Sequence, residues 1–137
     1  MDHAELIIRT TEDHAIPNKV IHFHDGPSAL DYLFRRNGYC QPAMSPRPQL
    51  ILLDVHLPGR DGIDILRTIK TSEELRMIPV VMLTTSATEQ DITSAYHNHA
   101  NSYVIKAVGY EEFKDLMGAL CSYWLGKNQS YKYLDAN

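Results

Sequence analysis

The run Leu50-Ile51-Leu52-Leu53 is apolar without a break and stops abruptly at Asp54. A strand with one wet face alternates apolar and polar residues. A continuous apolar run of strand length therefore implies burial on both faces, as in a parallel sheet covered by helices. The rest of the chain fits that frame. Val20-Ile21-His22-Phe23-His24 is a short strand-like run ended by the turn signal Asp25-Gly26-Pro27. Pro79-Val80-Val81-Met82-Leu83 and Tyr103-Val104-Ile105 supply two more strands. Between them, apolar residues recur at helical spacing: Ala29, Leu30, Leu33 and Phe34 after Ser28, then Ile63, Ile65, Leu66 and Ile69 up to about Thr71. A weaker, more polar helix covers Thr88 to Asn98. The last helix carries Phe113, Leu116, Met117, Leu120, Cys121 and Trp124, with Gly126 as its expected stop. Strands alternating with helices predict an α/β fold, a doubly wound parallel sheet.

At 137 residues the chain has room for one such domain. With 44% hydrophobic and 22% charged residues it has the makings of an ordinary globule, and a formal charge of −4 offers no general attraction to nucleic acid or anionic lipid. No apolar run approaches the roughly 18–20 residues of a membrane span, so a cytoplasmic protein is expected. Cys40 and Cys121 stand in no CxxC or Cys/His spacing and read as two reduced thiols.

Ligands of open α/β sheets gather at the carboxyl ends of strands. Three polar residues stand at three such ends: Asp54, Thr84 and Lys106. A carboxylate can attack a phosphoryl group and carry it as an acyl phosphate. Beside it, a hydroxyl can donate to one phosphoryl oxygen and an ammonium can neutralise another. Phosphoryl transfer asks a protein mainly for such positioning and countercharge.

The stretch Leu50 to Asp54, the turn His56-Leu57-Pro58-Gly59-Arg60-Asp61-Gly62, Ile78 to Ser86 and Asn101 to Lys106 together resemble response-regulator receiver domains of two-component systems. Thr84-Thr85-Ser86 and Tyr123-Trp124-Leu125-Gly126 are similar to the stand-alone receivers that serve phytochrome-type histidine kinases. The resemblance runs over residues 1–126, leaving 127–137 as a C-terminal arm. It implies a flavodoxin-like receiver fold with Asp54 as phosphoacceptor and Thr84 and Lys106 as its switch partners. Tyr103 is the aromatic position that changes rotamer, and the backbone carbonyl of His56 is, with Asp54, a Mg²⁺ ligand.

Two departures shape the expectations. Family members open with a hydrophobic strand ending in an acidic pair, central in a 2-1-3-4-5 sheet. Here Met1-Asp2-His3-Ala4-Glu5-Leu6-Ile7-Ile8 already reads as the following helix, so the first strand is expected to be missing or its slot filled by another segment. With Asp54 and one carbonyl as obvious ligands, Mg²⁺ should bind weakly. The second departure is Ala107, where the family has proline after the lysine. A non-proline cis bond costs about 2.5–4 kcal/mol, so Lys106–Ala107 is expected to be trans.

Other motifs are better read as structure. His22-x-His24 and His97-x-His99 have no third or fourth ligand at zinc-site spacing, and Gly59-x-x-Gly62 is turn chemistry. The leading function is a receiver whose output is a change in protein contacts, since no length remains for an effector domain. Its partners would be a histidine kinase and a second copy of the chain. The dimer would form through the last helix, with Phe113, Leu116, Met117, Leu120, Tyr123, Trp124 and Leu125, and the arm, with Tyr131, Tyr133 and Leu134. The alternative is a pseudo-receiver, an interaction module that no longer takes a phosphoryl group. An aspartate-dependent phosphatase on the same sheet is disfavoured, because Val55-His56 supplies no second carboxylate beside the nucleophile. The chain is therefore expected not to be an enzyme.

Overall fold

The computed structural model describes residues 6–10, 19–23, 25–40, 47–57 and 60–128. Its elements are β1 (Leu6–Thr10), β2 (Lys19–Phe23), α1 (Gly26–Leu33), β3 (Leu50–Leu53), β4 (His56–Leu57), β5 (Arg60–Asp61), α2 (Gly62–Lys70), β6 (Val80–Thr84), α3 (Glu89–His97), β7 (Ser102–Ile105) and α4 (Tyr110–Cys121). Five strands form one sheet in the order β2-β1-β3-β6-β7, and β4 and β5 make a two-residue ladder beside it. β3, β6 and β7 pair in parallel. The doubly wound flavodoxin-like architecture is the one expected.

The N-terminus departs from the expectation. Leu6, Ile7 and Ile8 lie in a strand, not a helix, and that strand fills the central slot between β2 and β3. An empty slot would leave the facing backbone groups of β2 and β3 without partners, a cost that outweighs a weak helical pattern. β1 runs antiparallel to both neighbours, with Leu6 opposite Phe23 and Leu53, and Thr10 opposite Lys19 at the far end. The parallel strand typical of the resemblance is thus replaced by one of opposite direction.

The fully buried β3 divides the core by alternation. Ile51 and Leu53 face a larger cluster built with Val80, Met82, Phe23, α1 residues Leu30 and Leu33, and α2 residues Ile65, Leu66 and Ile69. Leu50 and Leu52 face a smaller one with Val81 and Leu83, covered by Phe113, Leu116, Met117, Leu120 and Trp124 of the last helix. Asp25, read as part of a turn, is the N-cap of α1 and accepts from the Ser28 N–H at 2.8 Å. His24 lies outside the described residues, as do Pro58 and Gly59 of the turn and the arm residues Tyr131, Tyr133 and Leu134.

The last helix does not stop at Gly126. α4 continues as a π-helical segment through Ser122–Lys127. Trp124 and Leu125 still pack on the sheet there, so contact with the core carries the helix past the glycine.

Polar ties hold the loops that lead into the site strands. Lys70 Nζ donates to the carbonyls of Arg76 at 3.0 Å and Ile78 at 2.8 Å, and to Asn101 Oδ1 at 2.9 Å. The same amide oxygen accepts from the Val80 N–H at 2.9 Å, so the entries to β6 and β7 are fastened to the end of α2. Burial pushes the Lys70 ammonium down to about 8. Among the described residues, no helix is long and apolar enough to cross a membrane.

Candidate functional site

Asp54, Thr84 and Lys106 are the only polar or charged residues that are buried among those described. Burial of an unpaired carboxylate or ammonium is costly, so Asp54 and Lys106 must be explained by one another, while the Thr84 hydroxyl accepts from the Ser86 N–H. Strand register brings them together. Leu53 pairs with Met82 and Thr84 with Ile105, which sets the ends of β3, β6 and β7 side by side. Asp54 follows β3 and is 4% exposed, Thr84 closes β6 at 0%, and Lys106 follows β7 at 8%.

The Asp54 carboxylate is held at both oxygens. Oδ1 accepts from the His56 N–H at 3.1 Å, and Oδ2 meets Lys106 Nζ at 3.2 Å. The Lys106 N–H donates to the Thr84 carbonyl at 2.7 Å, which locks the two strand ends in register. No cis peptide occurs among the described residues, so Lys106–Ala107 is trans, as its residue types suggest.

Gly62 sets the position of Asp54 from behind. It opens α2 after the cap Asp61, whose Oδ1 accepts from the Ile63 N–H at 2.9 Å, and its own N–H donates to the Val55 carbonyl at 2.8 Å. A Cβ at Gly62 would overlap the Asp54 carbonyl oxygen and stand 2.8 Å from that of Val55. Backbone cannot yield as a flexible side chain does. Gly62→Ala is therefore expected to cost about 1–3 kcal/mol. It should lower the urea midpoint and slow any reaction at Asp54, and an unchanged midpoint would contradict this packing.

Two further residues, Ser86 and Asp91, belong to the site's surroundings with Tyr103 and His56, and carry weak signals in the sequence. Ser86 is a junction: its N–H donates to Thr84 Oγ1 at 3.2 Å and its carbonyl accepts from the Tyr103 hydroxyl at 2.9 Å. Its own hydroxyl donates to Asp91 Oδ2. The His56 ring reaches the same Asp91 oxygen, with Nε2 at 3.8 Å. Asp91 is three residues beyond the α3 cap Thr88, so locally it reads as helix-start chemistry. Tyr103 is half-buried, and desolvation raises its phenol above the ordinary range, with the carboxylates of Asp91 and Asp54 adding to the effect. His97 and His99 are exposed.

Among the described residues, no group of three or more His, Cys, Asp or Glu side chains converges to hold a metal ion. The Asp54 carboxylate remains suited to a hard cation that takes one carboxylate, substrate oxygens and water, and Mg²⁺ is commonly held that way. The residues therefore fit Mg²⁺ as a sparse oxygen site, not as a closed cage.

The chain is similar in sequence and in fold to known proteins of one family. The model of the response regulator receiver domain matches residues 2–117. The "Probable methanogenesis regulatory protein FilR2" of Methanothrix harundinacea is 43% identical over 93% of this chain and 80% of its own length. Response regulator Rcp1 of Synechocystis is 35% identical over 89% of this chain and 81% of its own. A crystal structure of Rcp1 with Mn²⁺ bound superposes with a TM-score of 0.74 at 36% identity, covering 80% of this chain and 77% of that one. The phosphorylated cyanobacterial phytochrome response regulator RcpA superposes at 0.77 with 34% identity, over 80% of this chain and 76% of that one. With its family match spanning most of the sequence and its fold shared with these regulators, the chain belongs to the response regulator receiver domains of two-component systems.

Proposed function

We propose that this chain is a phosphoacceptor response regulator that takes a phosphoryl group on Asp54 from a histidine kinase and signals by changing its protein contacts. The observation that supports this most is the buried Asp54–Lys106 pair beside Thr84, because a buried charge pair at strand ends is costly to stability and marks a place where chemistry is done. In the transfer, an Asp54 oxygen forms a bond to phosphorus as the P–N bond of a phosphohistidine breaks. The electron pair leaves with the imidazole, which takes up a proton. Thr84 would donate to one phosphoryl oxygen and Lys106 would offset the charge on another, with Tyr103 following as the switch aromatic. Asp54 and the His56 carbonyl would hold Mg²⁺ weakly, and when bound the ion supplies positive charge against the phosphoryl oxygens. RcpA is described as a phytochrome response regulator, which supports a phytochrome-type kinase as the partner. The reading is of a cytoplasmic signalling module without an enzyme's turnover, with residues 1–126 as the receiver. Incubation with acetyl phosphate and Mg²⁺ tests it: the intact mass should rise by about 80 Da, one phosphoryl group.

Two observations favour the alternative, a pseudo-receiver that acts only through contacts. Both Asp54 oxygens are already engaged by protein donors, and β1 runs opposite to the family's first strand. No mass shift with either acetyl phosphate or a cognate kinase would select it.

The same reading includes a homodimer through the last helix and the arm. None of the residues of α4 and its π-helical continuation is fully buried, and Tyr123 is 51% exposed beside half-buried Trp124. A helix whose apolar stripe stays half open on its own sheet can gain from a second copy. Light scattering at micromolar concentration should give a dimer for the full chain and a weaker or absent one for a chain ending at Lys127. A monomeric full chain would refute the dimer.

A further inference from the structure

Asn37-Gly38 is the only Asn-Gly pair in the chain, and the fold leaves both residues exposed. After α1 the chain passes through Arg35 at φ 56, and Asn37, at φ 54, opens a three-residue 3₁₀ turn, Asn37–Tyr39. Asparagine takes that left-handed conformation more readily than most residues. Three ties hold the turn. The Tyr39 N–H donates to the Arg36 carbonyl at 3.0 Å, the Cys40 thiol to the Asn37 carbonyl at 3.0 Å, and Asn37 Nδ2 to Asp31 Oδ2 at 2.8 Å. Tyr39 fastens the turn to the core, its ring edge-on to Tyr32 at 5.2 Å and to Phe23 at 6.5 Å between centroids. Gly38 is open by contrast. A Cβ there would meet nothing within 4 Å, and no described residue accepts from its N–H.

We propose that Asn37 is a site of spontaneous deamidation, and that the new carboxylate, set against Asp31, releases the turn from α1. The Gly38 backbone nitrogen gives up its proton to solvent and forms a bond to Asn37 Cγ. The bond from Cγ to the side-chain nitrogen breaks, and that nitrogen leaves as ammonia, closing a five-membered succinimide. Water then adds to either ring carbonyl and opens the ring to aspartate or isoaspartate. The balance is one water consumed and one ammonia released, with the new carboxyl's proton ending on the ammonia. Glycine at position 38 favours the attack, because no side chain shields the nitrogen. The product reverses the local hydrogen bonding. An amide nitrogen donates, whereas a carboxylate only accepts, so Asp31 Oδ2 loses its donor and faces a like charge. Arg36 Nε, 3.5 Å from Asp31 Oδ1, must then offset two carboxylates instead of one. Isoaspartate also adds a carbon to the backbone just before Tyr39, which displaces the ring from Tyr32 and Phe23. None of this depends on Asp54 being the phosphoacceptor.

The test holds the folded full-length chain in mildly alkaline buffer for days and maps its peptides by mass, against a sample digested at the start. The peptide bearing Asn37 and Gly38 should gain about 1 Da as amide becomes acid, in two chromatographic forms. One form should accept a methyl group from a protein isoaspartyl methyltransferase. Gly38→Ala has room for its methyl group and should lose the mass gain. Asn37→Asp, the product with an unaltered backbone, should melt about 2–8 °C below wild type. If that variant does not fold, aged wild type separated by its extra negative charge on ion exchange serves in its place. A peptide that keeps its mass in the folded chain but gains it in urea overturns the site, because the fold then shields it. Equal conversion in Gly38→Ala overturns the succinimide route. A melting midpoint of the deamidated protein equal to that of wild type overturns the release of the turn.

Discussion

Asp54→Asn is expected to abolish covalent labelling outright, by kinase or by acetyl phosphate, while the protein stays folded. The asparagine amide can accept from the His56 N–H as the carboxylate does, so the local backbone has its partner. It cannot form an acyl phosphate, because its nitrogen and oxygen are not competent nucleophiles toward phosphorus under these conditions. The loss is therefore of the reaction, not of the site. The measurement is intact mass after treatment with excess donor and Mg²⁺. Wild type should show the added mass of about 80 Da and the variant none. Equal labelling of both would place the acceptor elsewhere. Circular dichroism on the variant separates lost chemistry from lost fold. A stability cost is still expected, since Lys106 is left buried against a neutral partner.

The Lys106→Met variant should show the second large effect, this time on stability as well as on rate. Lys106 meets Asp54 at 3.2 Å with both side chains almost wholly out of water, so salt screens the pair little. Removing one member of such a pair leaves an uncompensated buried charge, a loss of about 3–5 kcal/mol. With urea slopes of about 1–3 kcal/mol/M for small domains, the midpoint should fall by more than about 1 M at unchanged slope. Asp54→Asn combined with Lys106→Met removes both charges and should recover much of that loss. If Lys106→Met shifted the midpoint by less than about 0.3 M, or if the double variant were the sum of the two singles, the carboxylate would have to be solvated. The buried-pair picture would then be wrong. Labelling should also slow, because the countercharge for the transferred group is gone.

Much of the site was legible without coordinates because its parts sit where local rules place them. An unbroken apolar run followed by Asp54, a second ending at Thr84 and a third ending before Lys106 are one-dimensional signals. The parallel pairing of β3, β6 and β7 then follows from strand–helix alternation. The trans Lys106–Ala107 bond was legible too, since intrinsic peptide energetics decide it. Helix ends were less so. Gly126 looked like a stop, but a helix end depends on what the following residues touch, and Trp124 and Leu125 touch the sheet.

What only the tertiary structure decided is everything that joins segments distant in the chain. Leu6-Ile7-Ile8 fits a helix by pattern, yet the unpaired edges of β2 and β3 make it a strand, and no local signal announces its antiparallel direction. The need for glycine at position 62 comes from the Asp54 and Val55 carbonyls that the turn folds against it. The ties of Ser86 to Asp91 and Tyr103 join three segments. Periodicity and turn chemistry report what a residue's neighbours in sequence demand. They are silent about which side chains meet across the mouth of a site, because that follows from register and helix docking, which the whole core sets at once.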